Sequence, residues 1–203
     1  MLNSVSSLPG DHLGLSEYDD DFGDRFRSLR NADVWKLERQ QEFHEPESES
    51  WMAFLQGRRE ESLRLMEADR PALRKLFEGL AQVECRVRRV RVVEKPISTY
   101  LLWELHSARI RAQCGEDIRV ITPEALSAFE QESPVPEIVI LGDEVTYRIL
   151  YDAQGEAEGA VRYTDPAVLE QCRAEITALH EQAEPVEDYF VREMDGVETP
   201  RAR

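Results

Sequence analysis

Arginine is concentrated in one β-rich segment of this sequence and in the segments that follow it. Four arginines stand among valines between positions 83 and 93, in a chain where acidic residues otherwise predominate. Guanidinium groups bind phosphates and carboxylates through paired hydrogen bonds. The sequence therefore predicts one candidate binding site, in which an aromatic residue joins the arginines: Arg86, Arg88, Arg89, Arg91, Arg109, Arg111, Arg119 and Trp103.

Two interpretations of this arginine cluster follow from the same residues. In the first, the cluster binds a phosphate, a nucleic-acid backbone or an acidic partner segment. In the second, the arginines pair with the chain's own surplus of carboxylates, and the acidic composition favours this alternative. Trp103, with Tyr100 and Glu104, either lines a small pocket at the end of the arginine-rich strand or packs in the core, as aromatic residues on helices usually do.

No catalytic motif accompanies the arginines. The sequence has no glycine-rich phosphate loop and no nucleophile elbow. Carboxylate pairs such as Glu116-Asp117 and Asp143-Glu144 are expected at turns and strand ends. No histidine has a metal-binding spacing; the four are His12, His44, His106 and His180. We therefore predict no catalytic residues, no metal site and no cofactor.

Charge and composition narrow the class of protein. Of 203 residues, 41 are acidic and 25 are basic, which gives a formal net charge of -16 that repels nucleic acid and anionic membranes. No apolar run is long enough to span a membrane, and the first residues lack the pattern of a secretory signal. The widely spaced Cys85, Cys114 and Cys172 are expected to be buried thiols. We expect a cytoplasmic protein without direct binding to nucleic acid or membrane.

Helical and strand patterns alternate along the chain. Helices are predicted over residues 21–31, 50–57, 69–80, 98–113 and 122–130, and from 165 onwards. Strands are predicted over 34–37, 83–93, 116–121 and 137–141, followed by a hairpin of 145–151 with 161–163. A change of phase at Arg88-Arg89 suggests a β-bulge.

This order of elements predicts the fold class. The βαβαβ order over residues 83–141 indicates parallel strands joined by crossovers, and the hairpin adds antiparallel pairing. The expected class is α/β with a mixed sheet, and α+β is the alternative. A flexible N-terminal tail over 1–17, a single domain over 18–184 and a flexible C-terminal tail over 185–203 are expected. A homodimer is one way to cover the edge strands.

Several segments resemble a known family. They are VWKLERQQEF, RVRRVRVVEKPISTYLLWEL, GEDIRVI and YDAQGEAEG with RYTDP, within residues 18–189. They resemble an uncharacterised actinobacterial family, a domain of unknown function whose members are commonly encoded beside helix-turn-helix regulators. The resemblance implies a role in regulation or in a small defence or toxin-antitoxin-like cassette.

The order of a strand-rich segment, a hairpin and a closing helix also resembles phospholipase D-like domains. Their HxK signature is absent, because the residues two positions after the four histidines are Gly14, Pro46, Ala108 and Gln182. The resemblance therefore implies a catalytically silent version of that domain that is used for binding.

Three functions remain in order of preference. The first is a non-enzymatic regulatory or interaction module that binds a partner protein, such as a helix-turn-helix regulator, through complementary charge. The second is a domain that senses a small ligand or phosphate with the arginine-rich strand and Trp103. The third is an enzyme such as a nuclease-like toxin.

Overall fold

The fold is a mixed eight-stranded sheet with helices on both faces. The structure is a computed structural model that describes residues 1–194. The strands are β1 Asp11–Gly14, β2 Val34–Glu38, β3 Val87–Val92, β4 Asp117–Ile121, β5 Ile138–Leu141, β6 Val145–Tyr151, β7 Ala157–Tyr163 and β8 Glu184–Pro185. The α-helices are α1 Leu15–Ser28, α2 Glu49–Leu55, α3 Arg59–Ala68, α4 Arg70–Gln82, α5 Thr99–Cys114, α6 Pro166–Gln182 and α7 Val186–Met194. Short 3₁₀ helices cover Val5–Ser7 and Pro123–Leu126.

The sheet has the strand order β1-β7-β6-β5-β2-β3-β4-β8. Strands β2, β3 and β4 are parallel, and the other neighbouring pairs are antiparallel. The parallel strands are joined by helical crossovers, α2 to α4 between β2 and β3 and α5 between β3 and β4. The α/β class with a mixed sheet is thus as the sequence predicts.

Each sheet face packs on its own helices. One face, here called the α5 face, packs against α5, where Leu101 and Leu105 are fully buried beside Val87 and Val120. The opposite face, the α6 face, packs against α6 and buries side chains such as Trp35. Cys85, Cys114 and Cys172 are buried free thiols, as predicted. Because helices cover both faces, the central strands are buried on both sides.

The βαβαβ unit lies one strand earlier than the sequence predicts. It consists of β2, β3 and β4, whereas β5 is antiparallel to β2. The segment between β4 and β5 forms only a short 3₁₀ helix, not the predicted helix over 122–130. Without a long crossover helix in this connection, the chain enters β5 antiparallel to β2.

The predicted bulge at Arg88-Arg89 is corrected too, because β3 pairs with both neighbours in regular register. Helix α4 extends to Gln82, and Glu84 has a left-handed φ of 57° in the turn that follows. The change of phase lies inside β3 and reflects burial on both faces of the sheet, because Val87 packs on the α5 face whereas Val90 and Val92 pack on the α6 face.

Both predicted tails are corrected within the described residues. At the N-terminal end, Leu2 and Val5 are fully buried against α6 and β7, and β1 joins the sheet beside β7. At the C-terminal end, α7 buries Tyr189 and Phe190 against the α5 face. In both segments, burial of apolar side chains against the core stabilises an ordered conformation in spite of the polar residues around them. The part of the predicted tail over 195–203 lies outside the described residues.

Candidate functional site: a buried ionic centre

The arginine-rich strand divides its side chains between the two faces of the sheet. Successive side chains of a strand point to opposite faces. Arg89 and Arg91 therefore lie on the α5 face, and Arg88 lies on the α6 face, where its guanidinium carbon is 5.1 Å from the centre of the Trp35 ring. Arg86 precedes β3 and is exposed. The predicted arginine cluster is therefore not one continuous patch.

On the α5 face, arginines and glutamates form a group that we call the ionic centre. Its members come from β2, β3, α5 and the segments that precede β4 and β5. They are Glu38, Arg89, Arg91, Glu104, Arg111, Glu116 and Glu137.

One half of the ionic centre is a closed set of ion pairs. Arg89 donates through Nε to Glu116 at 2.8 Å and through Nη1 to Glu38 at 3.0 Å. Arg111 donates through Nε to the other Glu116 oxygen at 2.6 Å. Burial alone would raise the pKa of Glu116, but Arg89 and Arg111 hold that pKa below its ordinary value. This half is balanced and predicted to be structural.

The other half leaves one hydrogen-bond donor unused. Arg91 is 1% exposed, and its Nε donates to Glu104 at 2.7 Å. Its Nη1 donates to the backbone oxygens of Glu38 at 3.1 Å and Val92 at 3.2 Å. Nη2 of Arg91 has no hydrogen-bond partner among residues 1–194. Burial holds the pKa of Glu104 above its ordinary value in spite of Arg91.

Glu137 leaves one oxygen unused in the same centre. Its Oε1 accepts from the backbone N–H groups of Arg39 at 2.8 Å and Gln40 at 2.6 Å, while its Oε2 has no partner in the described chain. Burial, together with the charge of Glu38, raises the pKa of Glu137 to about 7, against the opposing effect of Arg91. Glu137 is therefore close to half protonated at neutral pH.

The sheet topology brings Glu38, Arg91 and Glu137 to one end of the sheet. Glu38, the last residue of β2, is in register with Arg91 near the end of β3. Because β5 is antiparallel to β2, with Leu37 opposite Ile138, Glu137 comes to the same end of the sheet. Open α/β sheets generally bind ligands at the carboxyl ends of their parallel strands, where the strand order reverses. The half of the ionic centre that contains Arg91 and Glu137 lies at the carboxyl ends, whereas Glu116 lies at the amino end of β4.

The segment over residues 39–48, here called the covering loop, covers this end of the sheet. The Phe43 ring centre is 5.8 Å from the Arg91 guanidinium carbon and 5.2 Å and 5.4 Å from the ring centres of Tyr151 and Tyr100. The hydroxyl of Tyr100 donates to Glu45 at 2.6 Å. Phe43 thus covers Arg91 from the solvent side.

Hydrogen bonds attach the covering loop to three neighbouring elements. Gln41 donates through Nε2 to the backbone of Val92 at 3.0 Å, and its backbone oxygen accepts from Ser98 at 2.8 Å. At the other side, the N–H of His44 donates to the backbone oxygen of Gly155, in the β6–β7 turn, at 3.1 Å. The loop therefore connects the ionic centre to β3, to the start of α5 and to the hairpin.

The remaining predicted site residues lie elsewhere. On the α6 face, Arg88 pairs with Asp33 at 2.8 Å, and Arg119 contacts Asp117 at 3.4 Å. The guanidinium carbon of Arg109 lies 4.6 Å from the centre of the Phe190 ring. Trp103 is buried in an aromatic group with Trp51 and Tyr100. Of the predicted set, Arg89, Arg91 and Arg111 meet in the ionic centre, whereas Arg88 and Arg119 both contact Asp117 on the α6 face.

The sequence prediction missed the carboxylates of the centre and its aromatic cover. Glu38, Glu137, Phe43 and Tyr151 were outside the predicted set. A signal was present, because the alternating pair Lys36 and Glu38 breaks the apolar pattern of β2 as the arginines break that of β3. Charged residues at alternating positions of neighbouring buried strands indicate an ionic layer inside the fold.

Neither a membrane span nor a metal cluster is present among residues 1–194. No helix there has the length and apolar character needed to cross a membrane. In the same range, no three side chains of His, Cys, Asp or Glu converge in a way that could hold a metal ion.

Fold and site together define a mixed α/β domain with a buried ionic centre on the α5 face of its parallel strands. The chain belongs to the family described as a domain of unknown function (DUF6879), whose model matches residues 20–191. The predicted resemblance to an uncharacterised family is thereby confirmed. No curated protein and no solved structure matches the chain significantly.

Proposed function

We propose that this protein is a non-enzymatic binding domain that recognises a small oxyanion, the carboxylate or phosphate group of a metabolite, at the ionic centre. The observation that carries the proposal is the pair of buried, unpartnered atoms, Arg91 Nη2 and Glu137 Oε2. A buried polar atom without a partner costs about 1–3 kcal/mol. A ligand that supplies the partner recovers this free energy.

The two atoms select for an anionic oxygen. Arg91 Nη2 is a charged donor, and Glu137 Oε2 becomes a donor when the carboxyl is protonated. An oxyanion bound at both groups would accept from Arg91 and from protonated Glu137, whereas ionised Glu137 would repel it. Because the pKa of Glu137 is about 7, binding is expected to be tighter at pH 6 than at pH 8.

The covering loop supports a regulatory role for such binding. A ligand can reach Arg91 only if Phe43 moves, because the ring lies over the guanidinium. Movement of Phe43 would alter its contacts with Tyr100 and Tyr151 and the bond between His44 and Gly155. Occupation of the centre would thus change the surface formed by the loop and the hairpin, which a partner protein could detect.

The test is a thermal-unfolding screen of the purified protein with phosphate, citrate and short-chain carboxylates at pH 6 and pH 8. Sodium chloride at equal ionic strength serves as the control at each pH. A ligand at about 100 times its Kd stabilises the folded state by about 2.7 kcal/mol. We expect at least one oxyanion to raise the unfolding temperature, with a larger rise at pH 6.

Three variants relate the effect to the site. Arg91→Lys keeps a charge beside Glu104 but removes Nη2, so the rise should disappear. Glu137→Gln retains an N–H donor, so the rise should remain but lose its pH dependence. Arg86→Met, at an exposed position before the same strand, should behave like the wild type. If no oxyanion acts, or if Arg91→Lys and Arg86→Met respond alike, the proposal is wrong.

A further inference from the structure

An apolar groove lies on the surface between the end of α1 and helix α4, away from the ionic centre. Its volume is about 510 Å³. The floor combines Phe26 and Leu29 from the α1 side with Leu80 and Val83 from the α4 side. None of these residues belongs to the ionic centre, so the groove is a separate feature of the molecule.

Helix α4 presents an unused apolar stripe to this groove. Leu76 is 40% exposed, although its spacing with Phe77 and Leu80 places it on an apolar stripe. Ala72 and Gly79 continue the stripe, and a Cβ atom added at Gly79 would meet nothing within 4 Å. An exposed glycine inside a helix costs about 1 kcal/mol relative to alanine. At this position the absence of a side chain allows another helix to approach the backbone of α4 closely.

The rim of the groove has the opposite charge to the protein as a whole. Arg27, Arg30 and Lys75 line it, and no carboxylate of the described residues does so. The side chain of Arg30 donates to the backbone oxygens of Arg27 and Leu29, which holds its guanidinium beside the groove. Among residues 1–194, the ion pair of Arg27 is with the exposed Asp24 of its own helix. A basic rim on a chain of net charge -16 marks a local preference for acidic partners.

The charge of the rim decides between possible occupants. A second copy that docked with the same groove would bring two basic rims together, and like charges at an interface are unfavourable. An amphipathic helix with apolar anchors at i, i+3, i+4 and i+7 fits the groove between α1 and α4. Carboxylates beside those anchors would face the rim.

We propose that this groove docks an acidic amphipathic helix of a partner protein, with Leu76 as the central apolar contact and Arg27, Arg30 and Lys75 as the charged rim. Helix-in-groove binding of this kind draws its affinity from buried apolar anchors and its selectivity from the surrounding charges.

The test uses two synthetic helical peptides of about five turns that share one leucine face. One peptide carries glutamates beside that face and the other carries lysines. Fluorescence anisotropy measures the binding of each peptide to the full chain at low and high salt. We expect the glutamate peptide to bind at least tenfold more tightly, and the difference to shrink as salt rises.

Variants of the groove distinguish docking from general stickiness. Leu76→Ser should weaken binding of the glutamate peptide at least tenfold. Leu55→Ser should not, because Leu55 is 47% exposed but lies outside the groove. The double variant Arg30→Glu with Lys75→Glu should reverse the preference in favour of the lysine peptide. Equal binding of both peptides, no binding of either, or equal effects of Leu76→Ser and Leu55→Ser would overturn the proposal.

Discussion

The pKa values of two buried carboxyls of the ionic centre shift in opposite directions, because burial raises both but their charged neighbours differ. Glu116 faces two arginines, which hold its pKa below the ordinary value in spite of burial. Glu137 is buried beside Glu38 and near Tyr151, with Arg91 as the opposing charge, and its pKa rises to about 7. The residue types alone could not separate these two glutamates, because the sequence does not show which charges the fold places beside each of them.

This raised pKa predicts how stability changes with pH. Because folded Glu137 titrates near 7 and a free glutamate near 4.5, the folded state binds more protons between these values. The Glu137 contribution therefore falls as pH rises from about 4.5 to about 7, by at most about 3 kcal/mol. The variant Glu137→Gln lacks this contribution.

Urea denaturation of wild type and Glu137→Gln at pH 5 and pH 8 measures this difference. We expect the free energy of unfolding of the wild type to fall relative to the variant at pH 8. Comparing the two proteins cancels the effects of other groups, such as His106, whose pKa burial and two nearby arginines lower to about 4. Parallel pH profiles of the two proteins would show that Glu137 does not titrate in this range.

At the level of single elements, end signals made α5 predictable. Ser98 begins the predicted helix and has a side chain that commonly caps helices, and its hydroxyl accepts from the N–H of Leu101 at 3.1 Å. Gly115 follows the C-terminal end of α5 with a φ of 124°, at a position where glycine is common. Helix α7 was missed because its acidic first turn resembles a tail, although Val186, Tyr189 and Phe190 show helical spacing. The bounds of α5 thus followed from local chemistry, whereas α7 depends on packing against α5.

The end of α5 yields a second prediction about stability. A Cβ atom at Gly115 would lie 2.9 Å from Cβ of Phe77, and a φ of 124° is strained for any other residue. Gly115→Ala should therefore lower the free energy of unfolding by about 1–3 kcal/mol. Gly57→Ala is the control, because Gly57 also has a positive φ, of 74°, but has nothing within 4 Å of an added Cβ.

Guanidinium denaturation of the two glycine variants checks this prediction. A larger loss in Gly115→Ala would measure the close contact with Phe77 together with the greater backbone strain at a φ of 124° than at 74°. Equal losses in the two variants would mean that the contact with Phe77 contributes nothing.

At the scale of the whole molecule, pairing between distant segments determines features of the fold that could not be predicted from the sequence. The parallel strands followed from alternating patterns, but β1 joins the sheet only because β7, which is far away in sequence, offers a free edge. The strands at the two ends of the sheet are short, β1 with four residues and β8 with two. Short edge strands limit pairing with other chains. These short edge strands expose little backbone for pairing with a second copy. A homodimer that covers the edges therefore stays a prediction.

The N-terminal segment provides the test at this scale. Leu2 and Val5 are fully buried, Tyr163 donates through its hydroxyl to the backbone oxygen of Val5 at 2.9 Å, and the N–H of Leu2 donates to Glu175 at 2.7 Å. If this segment belongs to the core, Leu2→Ala should cost about 2–5 kcal/mol, as other buried leucines do. The exposed Ser6 supplies the matched control, Ser6→Ala, with an expected change within about 0.5 kcal/mol.

Urea denaturation followed by tryptophan fluorescence and by circular dichroism would measure both variants. In Leu2→Ala, the two signals should move together to lower urea, because the segment packs on α6 and β7 and should unfold cooperatively with them. A shift as small as that of Ser6→Ala would mean that residues 1–17 form the tail that their composition suggests and that the core closes without them.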